Sequence, residues 1–98
     1  MYHMDHLLSL LTTEKAKEIQ FRQGTPPVLV SEGEQHLLQG PPITDEDVTR
    51  LFRSMANSRQ VRDLRDCGRV EFIYTPRGRS PFLVRAKMEE ENVAFDVS

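Results

Sequence analysis

The side chains able to do chemistry fall into four groups, and none has the make-up of a catalytic centre. His3, His6 and His36 are the imidazoles. Two of them sit near the start of the chain, and no cysteine or carboxylate stands at zinc-motif spacing from any of them, so solvated histidines are expected and no metal is assigned. Cys67 is the single thiol. Arg65 and Arg69 flank it but supply no base, so it reads as an ordinary helix-end residue; one cysteine cannot form an internal disulfide, which fits a reducing compartment. Glu71 lies among apolar strand residues and is either a buried acid or part of the strand's outward face. Arg77, Arg79, Arg85 and Lys87, with Arg69 nearby, form a basic segment that also holds Phe82. Interfaces favour arginine and aromatic anchors, so Arg77, Arg79, Phe82 and Arg85 are the candidate partner-binding residues, with a solvated turn as the plainer reading. No catalytic residue and no cofactor is assigned.

The elements that must position these residues follow from periodicity. Met4, Leu7, Leu8, Leu10 and Leu11 form the stripe of an amphipathic helix. Ile19 and Phe21 alternate with Glu18, Gln20 and Arg22 as in a half-buried strand, and Gly24-Thr25-Pro26-Pro27 turns the chain. Val28 to Val30 and Glu34 to Leu38 are two further strands about the Glu32-Gly33 turn, and Gly40-Pro41-Pro42 ends the run. Thr44 before Asp45, Glu46 and Asp47 opens a helix with Val48, Leu51, Phe52 and Met55 on its core side. Asn57 and Gln60 cap a second, which carries Val61 and Leu64 and stops at Gly68. Val70, Phe72 and Tyr74 mark a strand, Pro76-Arg77-Gly78-Arg79 a turn, and Phe82, Val84 and Ala86 the next strand. Glu89-Glu90-Glu91 is a polar turn, and Asn92 to Val97 is a candidate last strand. The order αβββααββ(β) predicts an α+β layer with an antiparallel sheet.

Composition sets the outer limits. At 98 residues, with 38% hydrophobic and 29% charged residues, the chain suits one domain over 1–98 with a single modest core. The formal charge of -2, with acids interspersed among the bases, gives no field for polyanions, so nucleic acid is not an expected partner. The apolar runs are far short of a membrane span, and the opening residues lack a basic signal-peptide start, which points to a cytoplasmic protein without membrane insertion.

With these residues in view, the chain resembles the N-terminal domain of the type IV pilus retraction ATPase family, a PAS-like domain that precedes a RecA-like motor. The resemblance spans nearly the whole chain. It rests on the leucine-rich first helix, on Ala16-Lys17-Glu18-Ile19-Gln20 where the family has Ala-Ser-Asp-Leu-His, and on Gly24-Thr25-Pro26-Pro27. It rests also on the Glu32-Gly33 turn, on Ile43-Thr44 before the helix pair, and on Glu71-Phe72 in a late strand. The resemblance implies packing against motor domains in a hexameric ring and, through an Arg-Phe-Arg segment, arginines that reach toward the nucleotide.

Here the matching segment is Pro81-Phe82-Leu83-Val84, so a ring and an apolar chain replace the two guanidinium forks. The first motif ends in Gln20 instead of histidine, and Val30 stands where the family's arginine follows the double proline. Gly24, Pro26, Pro27 and Gly33, which set chain direction, are kept. No Gly-x-x-x-x-Gly-Lys-Ser/Thr loop occurs. The resemblance thus implies a bacterial, non-catalytic interaction or regulatory module of a pilus, twitching-motility or secretion motor, excised from a longer protein or acting beside one. The expected partner is a motor ATPase or pilus component, and alone the chain is expected to be a monomer or weak homodimer. The alternative is a PAS-like sensor of a small ligand.

Overall fold

Leucines three and four residues apart close the first helix, α1 (Met4–Thr13), over the core: Met4, Leu7, Leu8 and Leu11 are buried, while Leu10, just off the stripe, is only partly covered. The computed structural model describes residues 2–98. Three strands follow, β1 (Glu18–Phe21), β2 (Val28–Ser31) and β3 (Glu34–Leu37). Then come helices α2 (Asp45–Arg53) and α3 (Ser58–Cys67) and strands β4 (Arg69–Tyr74), β5 (Phe82–Glu89) and β6 (Asn92–Val97).

Both later helices start on reciprocal caps. Thr44 Oγ1 accepts from the Asp47 N–H at 3.1 Å while the Thr44 N–H donates back to the Asp47 carboxylate; Asn57 and Gln60 do the same at 2.8 and 2.9 Å. Gly68 ends α3 at φ 81°, a left-handed conformation that suits glycine.

All six strands make one antiparallel sheet in the order β3-β2-β1-β6-β5-β4, with the helices on one face. Ile19 and Phe21 of β1, Leu29 of β2, Val84 and Ala86 of β5 and Phe95 and Val97 of β6 point toward the helices and meet Leu8, Val48, Leu51 and Phe52. The centre of that core is aromatic: Phe21 and Phe95 stack at 4.4 Å, and Phe52 leans on Phe95 at 5.8 Å.

The α+β order is therefore the expected one, with its optional last strand present. Three details differ from the sequence reading. The last strand, β6, has the expected range Asn92–Val97 but lies at the centre of the sheet, between β1 and β5, with Ala94, Phe95 and Val97 buried. Val70, Phe72 and Tyr74 are only half-buried, because β4 is an edge strand. β3 is exposed throughout and stops at Leu37; Leu38 leaves the strand, its N–H donating to the Pro27 carbonyl at 2.9 Å.

Candidate interaction site

The β4–β5 connection carries the candidate arginines. Its turn is closed by the Arg79 N–H donating to the Pro76 carbonyl at 3.1 Å, with Pro76 buried and Gly78 at φ 76°. Arg77 is exposed, and its side chain makes no hydrogen bond or ion pair among the described residues. Arg79 is instead held: its guanidinium donates to Ser9 Oγ of α1 at 2.6 Å, fastening the turn to the first helix. Between them lies an open groove of about 510 Å³, lined by Ser9, Thr12 and Thr13 on one wall and by Gly78, Arg79 and Ser80 on the other. Phe82 forms its floor.

Phe82 requires a correction. The sequence reading offered it as a surface anchor, but its side chain points into the core and is 8% exposed, since it opens a strand whose even-numbered residues face the helices. It shapes the groove and cannot project from it. Arg85 also departs from the expected grouping, because an odd-numbered β5 residue points to the opposite face of the sheet. There one row crosses all six strands, Glu71, Arg85, Asp96, Gln20, Val28 and Leu37. Arg85 is flanked by two acids in that row, and Asp96 is already bonded to Arg22 at 2.9 Å. Arg77, Arg79 and Phe82 thus share one end of the molecule, and Arg85 lies elsewhere.

The remaining candidates are placed as follows. Glu71 is exposed on the outer face, which selects the outward reading over a buried acid. Cys67 is exposed at the end of α3. His36 pairs with Glu34 at 3.1 Å, and His3 and His6 are exposed beside α1. Gly24 takes φ 90°; its N–H donates to the Ile43 carbonyl at 2.8 Å, and Ile43 returns a bond to Thr25 at 2.9 Å, so this turn clasps the entry to α2. Pro26 follows half-buried, Pro27 is fully buried, and Gly33 turns β2 into β3 at φ 73°. The hydroxyl wall of the groove has no counterpart in the sequence reading; a serine inside a leucine stripe is the available signal.

Two titrations are displaced, both near the start of α2. The Thr44 backbone N–H, then the Thr44 hydroxyl and Arg50, hold the Asp47 carboxyl below the ordinary carboxylate value, with partial desolvation opposing them. Burial, with the nearby Asp47 charge, raises the Tyr2 phenol, whose O–H donates to the Pro41 carbonyl.

This fold is shared with part of a pilus retraction motor and of two ATPases. The pilus retraction motor PilT, solved with bound ADP, superposes with a TM-score of 0.87 at 22% identity over 99% of this chain. The Legionella pneumophila ATPase DotB matches at 0.75 and 18% identity over 96%, and the Yersinia pseudotuberculosis ATPase DotB at 0.65 and 16% over 99%. The chain spans 28%, 26% and 29% of those three proteins, respectively. No protein-family model matches the sequence, and no curated protein matches it. Among the described residues, no helix is long and apolar enough to cross a membrane.

Proposed function

We propose that the chain is a non-catalytic interaction module of a pilus-type or secretion-type motor ATPase, acting in the bacterial cytoplasm. The observation that carries this reading is the likeness to the pilus retraction motor over 99% of the chain, in a sequence without a phosphate loop. Pro81 and Leu83 supply no guanidinium at the positions the resemblance assigns to nucleotide contact, so the proposed partner is protein and not ATP. The proposed contact is the groove at the β4–β5 turn. Arg79 is preorganised there by Ser9, Arg77 stands free beside it, and α1 adds the Thr13 hydroxyl and the Thr12 oxygen as an acceptor, the Ser9 and Thr12 protons being given to the Asp5 and Leu8 carbonyls. The small-ligand alternative lacks such support: the rings of Phe21, Phe52 and Phe95 fill the space between sheet and helices where a core ligand would sit.

Reconstitution with the pilus-type or secretion-type ATPase of the same cell tests the reading. Arg77→Glu with Arg79→Glu is expected to weaken co-sedimentation with the motor at least about tenfold, a difference of about 1.4 kcal/mol. Thermal stability should fall only slightly, since both charges are exposed and the Arg79–Ser9 contact is a single exposed hydrogen bond. Equal capture of both proteins would remove the turn as the docking site. Calorimetry of the chain alone with magnesium and ATP addresses catalysis, and micromolar binding or turnover would overturn the non-catalytic assignment.

A further inference from the structure

A second surface lies on the helix pair, away from the β4–β5 turn. Residues 50–69 contain six arginines, no lysine and only two acids, in a chain whose formal charge is -2. Arg50 is engaged, bonded to the Tyr2 carbonyl at 3.0 Å and close to Asp47. Arg53, Arg59 and Arg62 are exposed and, among the described residues, have neither an ion pair nor a hydrogen bond; Arg65 has only a 3.8 Å contact with its neighbour Asp66.

Position within α3 is locally unfavourable for Arg59, although Arg65 sits in the last turn, where a cation is favoured. The first turn of α2 carries Asp45, Glu46 and Asp47, which complement the positive end of the helix, whereas the first turn of α3 has no acid and carries Arg59. Arg59, Arg62 and Arg65 then follow at three-residue steps along the exposed flank, covering about 9 Å of helix axis. Arg53, Arg62 and Arg65 border an open groove of about 420 Å³ whose apolar patches are the partly buried Ala56 and Val61.

From this we propose that the α2–α3 face docks an acidic helical segment of a partner protein. Carboxylates three and four residues apart on a helix span about 10 Å, close to the about 9 Å from Arg59 to Arg65, and each guanidinium can grip one in bidentate fashion, Arg62 and Arg65 at the groove and Arg59 outside its lining. A small apolar residue between those carboxylates fits over Ala56 and Val61. A nucleic-acid strand fits less well: the face offers no aromatic ring to stack a base, and Asp63 and Asp66 share the helix with the arginines. The surface is distinct from the groove at Arg77 and Arg79, and the inference does not depend on association with a motor.

Fluorescence anisotropy with synthetic helical peptides tests it, using glutamates at the first, fourth and eighth positions around a central alanine or leucine and a matched glutamine series as control. The expected result is saturable binding by the glutamate series, at least about tenfold weaker for the glutamine series and for Arg62→Glu with Arg65→Glu, and unchanged for Arg77→Glu with Arg79→Glu. Arg59→Glu should lose binding while raising the urea midpoint of the free protein, because it removes a cation from the positive end of α3; this separates lost contact from lost folding. Absence of saturable binding by the glutamate series, or equal binding of the two series, overturns the proposal. So does tighter binding of a single-stranded oligonucleotide, or a concentration-dependent dimer that Arg62→Glu abolishes, which would make the occupant a nucleic acid or a second copy.

Discussion

Two hairpins of the sheet turn over two residues each, yet they are specified in opposite ways. Between β2 and β3, Ser31 faces Glu34 across Glu32-Gly33, and glycine takes the positive φ at no steric cost. Between β5 and β6, Glu89 faces Asn92 across Glu90-Glu91, and two glutamates are held at φ 49° and 71°. A tight hairpin with positive φ at both central residues prefers Asn-Gly, so this turn is chemically poor. The good turn serves β3, an exposed edge strand, and the poor one joins the two strands that carry Val84, Ala86, Phe95 and Val97 into the core. Local chemistry suffices at the periphery, whereas at the centre burial overrides it.

The largest expected effect tests the centre. Phe95→Ala removes a fully buried ring that contacts both Phe21 and Phe52, and should cost about 3–5 kcal/mol in urea unfolding. Leu37, 62% exposed on β3, should change stability by no more than about 0.5 kcal/mol when replaced by alanine. Similar costs at both positions would break the contrast.

The next effect lies at the turn between β1 and β2. Gly24→Val should cost about 1–3 kcal/mol through backbone conformation alone, since a Cβ there meets no atom within 4 Å and only φ 90° opposes it. An unchanged urea midpoint would mean that the loop relaxes and its clasp on Ile43 is dispensable.

A gain is expected at the poor turn. Glu90→Asn with Glu91→Gly relieves two strained residues and some like-charge repulsion, and should stabilise the protein by about 1 kcal/mol. No gain would show that these glutamates already sit comfortably in the left-handed region.

The same division explains what could be read in the sequence. The first helix, the caps at Thr44 and Asn57, the Gly33 turn and the strands before and after the helix pair are legible because each rests on local spacing or caps. β6 is only a candidate strand in the sequence, since Glu89-Glu90-Glu91 is a polar turn without the Asn-Gly or Asp-Gly of a tight hairpin, and its central position arises only on pairing with β1 and β5. The candidate site was partly legible for a similar reason. Composition and spacing brought out Arg77 and Arg79, but the alternation that buries Phe82 and sends Arg85 to the other face depends on which side of the sheet the helices cover. The Ser9 contact, 70 residues away in sequence, left no local trace.

The smallest expected effect concerns a local device at the periphery, the start of α2. Asp47 is bonded to the Thr44 N–H, its side chain is 30% exposed, and its folded pKa lies below the ordinary value. A lowered carboxylate pKa means that the unfolded chain binds the proton more readily, so the charged form contributes stability fully above the unfolded value of about 3.9. That contribution is lost as pH falls through the lower, folded pKa. Asp47→Asn removes the charge and keeps the shape, so the mutant should be slightly less stable than wild type near pH 7, and the gap should close as pH falls through the lowered folded pKa, below which both side chains are neutral. Urea midpoints measured across that range decide the matter. A gap that persists at low pH would assign the effect to altered hydrogen bonding in the cap, whereas closure would identify the carboxylate charge as the source.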